Sequence, residues 1–307
     1  VAVQVDKSAE SLLLYLATVR AGGIYLPLNT AYPVGEVRYF LTDAAPRLFV
    51  CRPADLDAMR GLASEVGVPQ VETLGTAGQG TLSPFLTEGS EAFTDVERTA
   101  DDLAAILYTS GTTGRSKGAM LSHGNLYSNC QTLREVWHFT QDDRLLHALP
   151  IFHTHGLFVA TNVTLAAGGS IILLPSFDPD AILRLLPQAT TMMGVPTFYT
   201  RLLARSELTR ELVAGIRLFV SGSAPLSAET HREWEERTGH QILERYGMTE
   251  TNTNTSNPYD GRRVPGSVGL ALPGVEVRIA DPETGPSLAQ GNVGSIEIRG
   301  PNVFKGY

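Results

Sequence analysis

Apolar positions along the chain follow two spacings: short continuous runs typical of buried strands, and a three-to-four-residue recurrence typical of helices. In the first part of the chain these spacings predict a helix over 6–20, a strand over 24–26, a helix over 34–43 and a strand over 48–51. Ser8 fits the N-cap of the first helix, and Gly22 and Gly23 fit its end. Strands that alternate with helices predict a parallel sheet with helices packed on it.

A second alternation begins near residue 101, after a Gly-, Thr-, Ser- and Glu-rich stretch over 73–99 that predicts a loop. Its strands are predicted at 103–108, 145–149, 170–174, 190–194, 216–221 and 241–244. Its helices are predicted at 123–137, 178–187, 197–205 and 227–238. From Val264 onward, short strands broken by Gly and Pro, at 275–280 and 295–299, predict a smaller and more antiparallel subdomain. The pattern as a whole predicts an α/β fold.

Composition narrows the class of protein. The 307 residues carry a net charge of −8 and 43% hydrophobic side chains, which suits a large globular protein. The negative charge argues against a general nucleic-acid-binding or anionic-membrane surface. Cys51 and Cys130 form no disulfide framework, and no secretory leader precedes Val1. We therefore expect a cytoplasmic protein whose partners are small molecules.

A polar segment over 109–118, Thr-Ser-Gly-Thr-Thr-Gly-Arg-Ser-Lys-Gly, follows the apolar run 103–107. Glycine lets several backbone N–H groups face one anion, hydroxyl groups add donors, and Lys117 adds a positive charge. The segment differs from a kinase-type phosphate loop, because Ser116 stands where that motif has its second glycine. An ordinary polar turn is the alternative. The length of the string and the motifs that follow favour polyphosphate binding.

Five further motifs follow in order. They are Leu-Pro-Ile-Phe-His-Thr-His-Gly at 149–156, Gly-Val-Pro-Thr-Phe-Tyr at 194–199, Ser-Gly-Ser-Ala-Pro-Leu at 221–226, Glu-Arg-Tyr-Gly-Met-Thr-Glu-Thr at 244–251, and Gly-Ser-Val-Gly at 266–269 with Pro-Gly at 273–274. With the polar segment, they resemble the adenylate-forming superfamily, which includes acyl-CoA synthetases, luciferases and peptide-synthetase adenylation domains. The resemblance covers nearly the whole chain and departs from the usual pattern at Ser116, where proline is common.

The resemblance refines the expected architecture. It implies two packed β/α subdomains over 1–265, layered αβαβα, that carry the ATP and acyl sites. It implies the start of a small β-barrel subdomain over 266–307. Members of the superfamily continue into a C-terminal lid domain with a catalytic lysine, and we expect residues 1–307 to stop short of that domain. We therefore expect the chain to bind nucleotide and acid but to catalyse adenylation weakly.

The resemblance also implies a nucleotide site. Its residues would be Thr109, Ser110, Gly111, Thr112, Thr113, Gly114, Lys117, Gly222, Ser223, Ala224, Pro225, Glu244, Arg245, Tyr246, Gly247, Met248 and Thr249. The Tyr246 ring would pack on adenine, Thr249 would donate to the α-phosphate, and Glu250 would hold Mg²⁺. One carboxylate beside phosphate oxygens suits Mg²⁺, which keeps its waters. The implied catalytic residues are Lys117, Thr249, Glu250 and His153.

The acid site depends on an arginine. The resemblance places His153, Thr154, Arg201, Ser223 and Met248 around the acyl group. Arg201 stands where fatty or aryl acids need an apolar wall, and a guanidinium can pair bidentately with a carboxylate. This combination is similar to malonyl-CoA synthetases. Helical spacing leaves open whether Arg201 faces solvent with Arg205. His153 and His155 also form a His-x-His pair, but no further metal ligand is evident nearby.

The expected activity is that of an ATP- and Mg²⁺-dependent ligase that converts malonate to malonyl-AMP and transfers the acyl group to coenzyme A. Two alternatives stay open. The enzyme could prefer methylmalonate, acetate or acetoacetate, or the chain could be a non-catalytic adenylate-binding module. The absence of a Gly-x-Ser-x-Gly motif gives no support to a serine hydrolase. The charged run 232–237 is interpreted as a solvated helix face.

Overall fold

A computed structural model describes residues 1–87, 92–109 and 114–307. The first half contains a parallel sheet of four strands in the order β2-β1-β3-β4. These strands are β1 (Ala2–Gln4), β2 (Leu26–Pro27), β3 (Leu48–Cys51) and β4 (Gln70–Thr73). Its helices are α1 (Ala9–Arg20), α2 (Val34–Ala44), α3 (Leu56–Val66) and the short α4 (Ser83–Thr87). Ser8 caps α1 as predicted, in a reciprocal capping box with Ser11.

A hairpin links the two halves. It consists of β5 (Leu103–Thr109) and β6 (Lys117–Ser122), which pair antiparallel with Thr109 opposite Lys117. The strand predicted at 103–108 is confirmed as β5, whereas β6, which begins within the polar segment, was not predicted. The segment's residues Ser110, Gly111, Thr112 and Thr113 lie outside the described residues. Tyr25 forms a parallel bridge with Ala105, which places the hairpin beside the first sheet.

The second half contains a seven-stranded sheet in the order β13-β12-β11-β10-β9-β7-β8. The strands are β7 (Arg144–His147), β8 (Ser170–Leu173), β9 (Thr191–Gly194), β10 (Leu218–Ser221), β11 (Leu243–Met248), β12 (Asn252–Ser256) and β13 (Leu270–Ala271). The five from β8 to β11 pair in parallel, whereas β12 and β13 are antiparallel. Its helices are α5 (His123–Val136), α6 (Asn162–Ala166), α7 (Pro179–Leu185), α8 (Pro196–Leu203) and α9 (Ala228–Thr238). A separate hairpin, β14 (Glu276–Ala280) with β15 (Ser295–Arg299), follows.

Three hydrophobic cores stack these elements into layers. Residues of α2 and α3, such as Phe40 and Leu62, pack on one face of the first sheet. On the other face a middle layer joins Tyr15 of α1 to Phe158. The second sheet is packed between this middle layer and outer helices that include Leu202 and Trp234. The layered α/β architecture expected from the sequence is confirmed.

Several helices and strands of the structure were not predicted from the sequence. The stretch 73–99, predicted as a loop, includes α4, while α3, β4 and β12 were not predicted. The His-x-His segment was considered as a strand, but His155–Thr161 forms a π-helix that continues into α6. Within the described ranges, no helix combines the length and apolarity needed to cross a membrane. The division of the chain at residue 265 stays a prediction.

Candidate active site

A cavity of about 980 Å³ opens where the strands of both sheets end. Many of its wall residues, such as Val5, Ala148 and Val195, directly follow the carboxyl ends of parallel strands, the usual position of ligand sites in α/β folds. The lining residues are Val5, Asp6, Lys7, Thr30, Thr76, Ala148 to Gly156, Pro175, Ser176, Phe177, Val195, Phe198, Ser223, Arg245, Gly247, Met248, Thr249 and Asn252. Of the predicted acid-site residues, His153, Thr154, Ser223 and Met248 therefore lie together.

Arg245 is the most unusual residue of this wall. Its side chain is buried, at 5% exposure, and its Nε and Nη2 atoms have no hydrogen-bond partner among the described residues. Burial lowers the pKa of its guanidinium to about 10. Gly222 makes room for it, because a Cβ at Gly222 would lie 2.5 Å from Arg245 Nε. The resemblance assigned Arg245 to the nucleotide, and the fold places it in a cavity wall that also contains Gly247 and Thr249 of the predicted nucleotide site.

Other unpaired polar atoms line the same cavity. They are Thr154 Oγ1, His155 Nε2 and both polar atoms of the Asn252 side chain, none of which has a partner within the described ranges. Asn252 is only 2% exposed and has a left-handed backbone with φ of 52°. Because buried polar groups nearly always find partners, this cluster is suited to a polar ligand or to ordered water. Asn252 was not predicted as a site residue.

The two histidines of the His-x-His pair differ in position. His155 is buried, and its Nδ1 lies 3.2 Å from Ser223 Oγ. Desolvation, with Arg245 next, lowers the pKa of His155 well below its usual value. His153 faces the cavity, and desolvation by its surroundings also lowers its pKa. The described residues contain no group of three side chains suited to hold a metal here.

Lys7 adds a second cation to the cavity. Its Nζ lies 2.7 Å from the His147 carbonyl oxygen and 3.1 Å from His147 Nδ1. His147 Nε2 lies 3.0 Å from the Gly156 carbonyl oxygen, so it carries the proton and Nδ1 accepts from Lys7. Burial lowers the pKa of Lys7 to about 7. No sequence motif pointed to Lys7.

Arg201 does not lie where the sequence analysis expected it. It is exposed, is absent from the cavity wall, and has its guanidinium carbon 4.6 Å from the centroid of the Phe177 ring. Phe177 lines the cavity and stacks on Phe198, with ring centroids 4.0 Å apart. Arg201 thus lies behind an aromatic wall, because residue 201 falls on the outer face of α8. Its neighbour Arg205 pairs with Asp180 at 3.0 Å.

The residues predicted to lie on one side of adenine form a turn that the Glu244 carboxylate supports through a hydrogen bond. The turn contains Gly222, Ser223, Ala224 and Pro225, with Ser223 in the left-handed region at φ of 69°. Glu244 is buried, and its Oε1 accepts a hydrogen bond of 2.9 Å from the Leu226 N–H. Glu244 therefore supports this turn and does not line the cavity. Its burial raises the pKa of its carboxyl.

Tyr246 and Gly247 flank an irregularity in β11. The register against β12 shifts between these two residues. A Cβ at Gly247 would lie 1.8 Å from the Asn252 carbonyl oxygen, so only glycine fits. Tyr246 is half-buried, and Gly247, Met248 and Thr249 continue into the cavity wall. The bulge thus turns the predicted nucleotide motif towards the cavity.

Three of the predicted phosphate-binding residues lie within the described ranges. Lys117 and Gly114 are exposed and Thr109 is half-buried. The Tyr39 hydroxyl donates to the Ser116 carbonyl at 2.7 Å, and the Arg115 guanidinium carbon lies 4.0 Å from the Tyr39 ring centroid. These contacts with α2 fix the strand that carries Lys117.

Glu250 is a candidate Mg²⁺ ligand at the same end of the site as Lys117. It is half-buried, and its Oε1 accepts a hydrogen bond of 2.7 Å from the Tyr307 hydroxyl. No cluster of three acidic, histidine or cysteine side chains surrounds it within the described residues. A single carboxylate cannot cage a metal, but it suits Mg²⁺ bound mainly through phosphate oxygens and water. The arrangement fits a metal that arrives with a polyphosphate.

Known proteins resemble this chain in both sequence and structure. The sequence profile of the AMP-binding enzyme family matches residues 1–307. The mitochondrial malonate–CoA ligase of Xenopus laevis is 36% identical over 94% of this chain and 55% of its own length. The structure of ATP-bound MatB from Rhodopseudomonas palustris has a TM-score of 0.97 and 65% identity, covering 100% of this chain and 61% of that one. A malonyl-CoA ligase complex with methylmalonyl-CoA and AMP has a TM-score of 0.83 and 34% identity, covering 100% and 63% respectively.

The fold and the profile match define an α/β domain of an AMP-binding enzyme. The chain belongs to the AMP-binding enzyme family, whose profile it matches along its whole length. It spans about half the length of the curated relatives that it matches, 55% for the Xenopus protein.

Proposed function

We propose that this chain is the nucleotide- and acid-binding core of an ATP-dependent malonate–CoA ligase. The relatives described above include malonate–CoA ligases, and one related structure holds ATP. The proposal extends their activity to this chain because the chain carries both a nucleotide motif and a cavity suited to a dicarboxylic acid. ATP, Mg²⁺ and coenzyme A are the proposed co-substrates and metal.

The unpaired buried guanidinium of Arg245 carries the proposal. A buried charge without a partner is costly, and a carboxylate pairs with guanidinium through two parallel hydrogen bonds. Thr154 Oγ1 and the Asn252 amide offer further hydrogen bonds in the same wall. Malonate has a second carboxylate to place there, whereas acetate and fatty acids would leave Arg245 unpaired. The wall therefore favours a short dicarboxylic acid.

Other residues of the chain would act in the first step of the reaction, the formation of malonyl-AMP. One malonate carboxylate oxygen attacks the α-phosphorus of ATP, the bond to the β-phosphate breaks, and pyrophosphate leaves. Thr249, in the cavity wall, would donate to the α-phosphate, and Lys117 would bind the departing phosphates. Mg²⁺, held by Glu250, would neutralise charge on the phosphate oxygens. These groups act by positioning and by stabilising developing charge.

The second step would transfer the acyl group. The sulfur of coenzyme A attacks the acyl carbon, its proton is lost, and AMP leaves with the carboxyl oxygen that joined it to the acyl group. His153 faces the cavity with its pKa lowered by desolvation, so near neutral pH it is an uncharged wall residue. A lid domain beyond residue 307, as the greater length of the relatives allows, would complete this step.

Arg201 would have a secondary role. Its guanidinium has no acidic partner in the described part of the chain and rests on Phe177, a wall residue. We propose that Arg201 raises the positive potential near the second carboxylate and that Arg245 makes the direct pair. Cytoplasmic location also stays a prediction, since the Xenopus relative is mitochondrial.

Acid-dependent ATP–pyrophosphate exchange tests the proposed function. Malonate, methylmalonate, acetate, acetoacetate and butyrate are compared on one preparation, so their ranking does not depend on the absolute rate. We expect exchange to be fastest with malonate. Faster exchange with acetate or butyrate would indicate a general short-chain synthetase. Absence of exchange by the full-length protein with every acid, despite ATP binding, would indicate a non-catalytic adenylate-binding module.

A further inference from the structure

Tyr307 contacts Glu250 and Lys117, two charged residues of the part of the site predicted to bind phosphate, here called the phosphate end. Its hydroxyl donates to Glu250 Oε1 at 2.7 Å, and Lys117 Nζ lies 5.2 Å from the centroid of its ring. We infer that Tyr307 is a positioning residue that holds the Glu250 carboxylate and the Lys117 ammonium in register for Mg²⁺-bound ATP. The inference rests on the proposed function, and neither the motifs nor the family profile assigns a role to Tyr307.

The backbone around Tyr307 is tied to both partners. The Met120 N–H donates to the Gly306 carbonyl at 2.9 Å, which joins this segment to β6, the strand that begins at Lys117. The Phe304 N–H donates to the Glu250 carbonyl at 2.8 Å. The segment before Tyr307 is therefore hydrogen-bonded both to the lysine strand and to the carboxylate residue, and a displacement of either would move the tyrosine.

The two contacts of Tyr307 have different chemical effects. The hydroxyl bond occupies one carboxylate oxygen of Glu250 and orients the other, as outer hydrogen bonds do for metal-ligating carboxylates. The ring attracts the Lys117 ammonium through its π-face and limits its rotamers. The hydroxyl should therefore matter only when Mg²⁺ is bound, whereas the ring should matter for ATP with or without the metal.

Calorimetric titration of ATP, with and without Mg²⁺, tests this division on wild type, Tyr307→Phe and Tyr307→Ala. Tyr307→Phe should weaken Mg²⁺-ATP binding by about fivefold, the loss of one hydrogen bond to a partly exposed charged group, and leave metal-free ATP binding unchanged. Tyr307→Ala should weaken both. The matched control is Tyr127→Phe, since Tyr127 is 67% exposed on α5 and has no side-chain hydrogen bond within the described residues.

The outcomes separate the inference from the proposed function. Equal Mg²⁺-ATP affinity for Tyr307→Phe and wild type, or tighter binding by the variant, would overturn the positioning role and leave the proposed function intact. Equal weakening with and without Mg²⁺ would also overturn it, because a general disturbance of the site would act on both. Failure of wild type to bind ATP would contradict the proposed function and this inference together.

Discussion

The candidate site has two ends, an acid end around Arg245 and Asn252 and a phosphate end around Lys117 and Glu250. The two ends differ in how far their polar side chains are buried and paired. At the acid end, Arg245 and Asn252 are buried, at 5% and 2% exposure, and their terminal atoms lack partners among the described residues. At the phosphate end, Lys117 is exposed, and Glu250 already accepts a hydrogen bond from Tyr307. The acid end thus carries an uncompensated desolvation cost that a ligand can relieve, whereas the phosphate end does not.

This difference assigns separate tasks to the two ends. A buried group that lacks a partner discriminates strongly, because any ligand that fails to pair with it leaves the cost in place. Exposed groups are screened by solvent and add affinity for any polyphosphate without discriminating between acids. We therefore expect changes at the acid end to alter the choice of acid, and changes at the phosphate end to alter the use of ATP with every acid.

The largest effect is expected for Arg245→Met, which keeps the volume of the side chain and removes its charge. The kcat/KM for malonate should fall about 100-fold or more, since two hydrogen bonds between charged groups are lost. Butyrate should be used as well as before or better. Thermal unfolding measured in parallel should show no loss of stability, because removing an unpaired buried charge is not destabilising. A marked fall in Tm would show that Arg245 has a structural role.

A smaller effect is expected for Asn252→Asp, which keeps the shape of the side chain and tolerates the left-handed backbone. The new carboxylate adds a negative charge to the wall and competes for the Arg245 guanidinium. The kcat/KM for malonate should fall about 30-fold while that for butyrate changes little. Equal losses for the two acids in the exchange assay would contradict the assignment of Asn252 to the acid end.

Acid pH should weaken the fold through the buried histidines of the cavity. His147 and His155 both have pKa values well below the usual one, mainly through desolvation. Below about pH 6.5 the unfolded chain therefore binds protons that the folded chain does not, and stability falls as pH falls. We expect urea unfolding to show a loss of about 2 kcal/mol between pH 7 and pH 5.5. His155→Gln should reduce that slope by about half; an unchanged slope would contradict the assignment.

The smallest effect is expected for Arg201→Leu, which removes an exposed charge behind Phe177. The KM for malonate should rise only about fivefold, because an exposed ion pair contributes little. A loss as large as that of Arg245→Met would show that Arg201 leaves the Phe177 ring and pairs with the second carboxylate directly. Steady-state kinetics on the two variants, measured with the same malonate series, distinguishes these arrangements.

Local patterns in the sequence were enough to predict an α/β fold, because strand and helix spacings alternate clearly, and the family resemblance added the layers. Motif order was enough to predict the neighbourhood of His153, Ser223 and Met248. Helical spacing could not show that Arg201 lies outside the cavity, since the buried face of α8 is set by packing. Lys7 and Asn252 meet at one cavity although they lie far apart in the chain, and no local pattern records such a meeting.

The strand β6 is another feature that local sequence patterns could not predict. The antiparallel register of Thr109 with Lys117 depends on pairing across the turn, and the spacing of apolar residues does not specify it. The position of Arg245 could not be predicted from its motif either. Arg245 and Gly247 are two residues apart on β11 and both line the cavity, so the predicted nucleotide site and the predicted acid site share this wall.

The most direct test of the account is calorimetric binding of non-hydrolysable malonyl-AMP and butyryl-AMP analogues to this chain. Both analogues carry the same nucleotide, so the phosphate end contributes equally and only the acid end differs. We predict that the malonyl analogue binds about 100-fold more tightly, because it alone supplies a carboxylate to Arg245. Equal binding of the two analogues, or tighter binding of the butyryl analogue, would contradict the account.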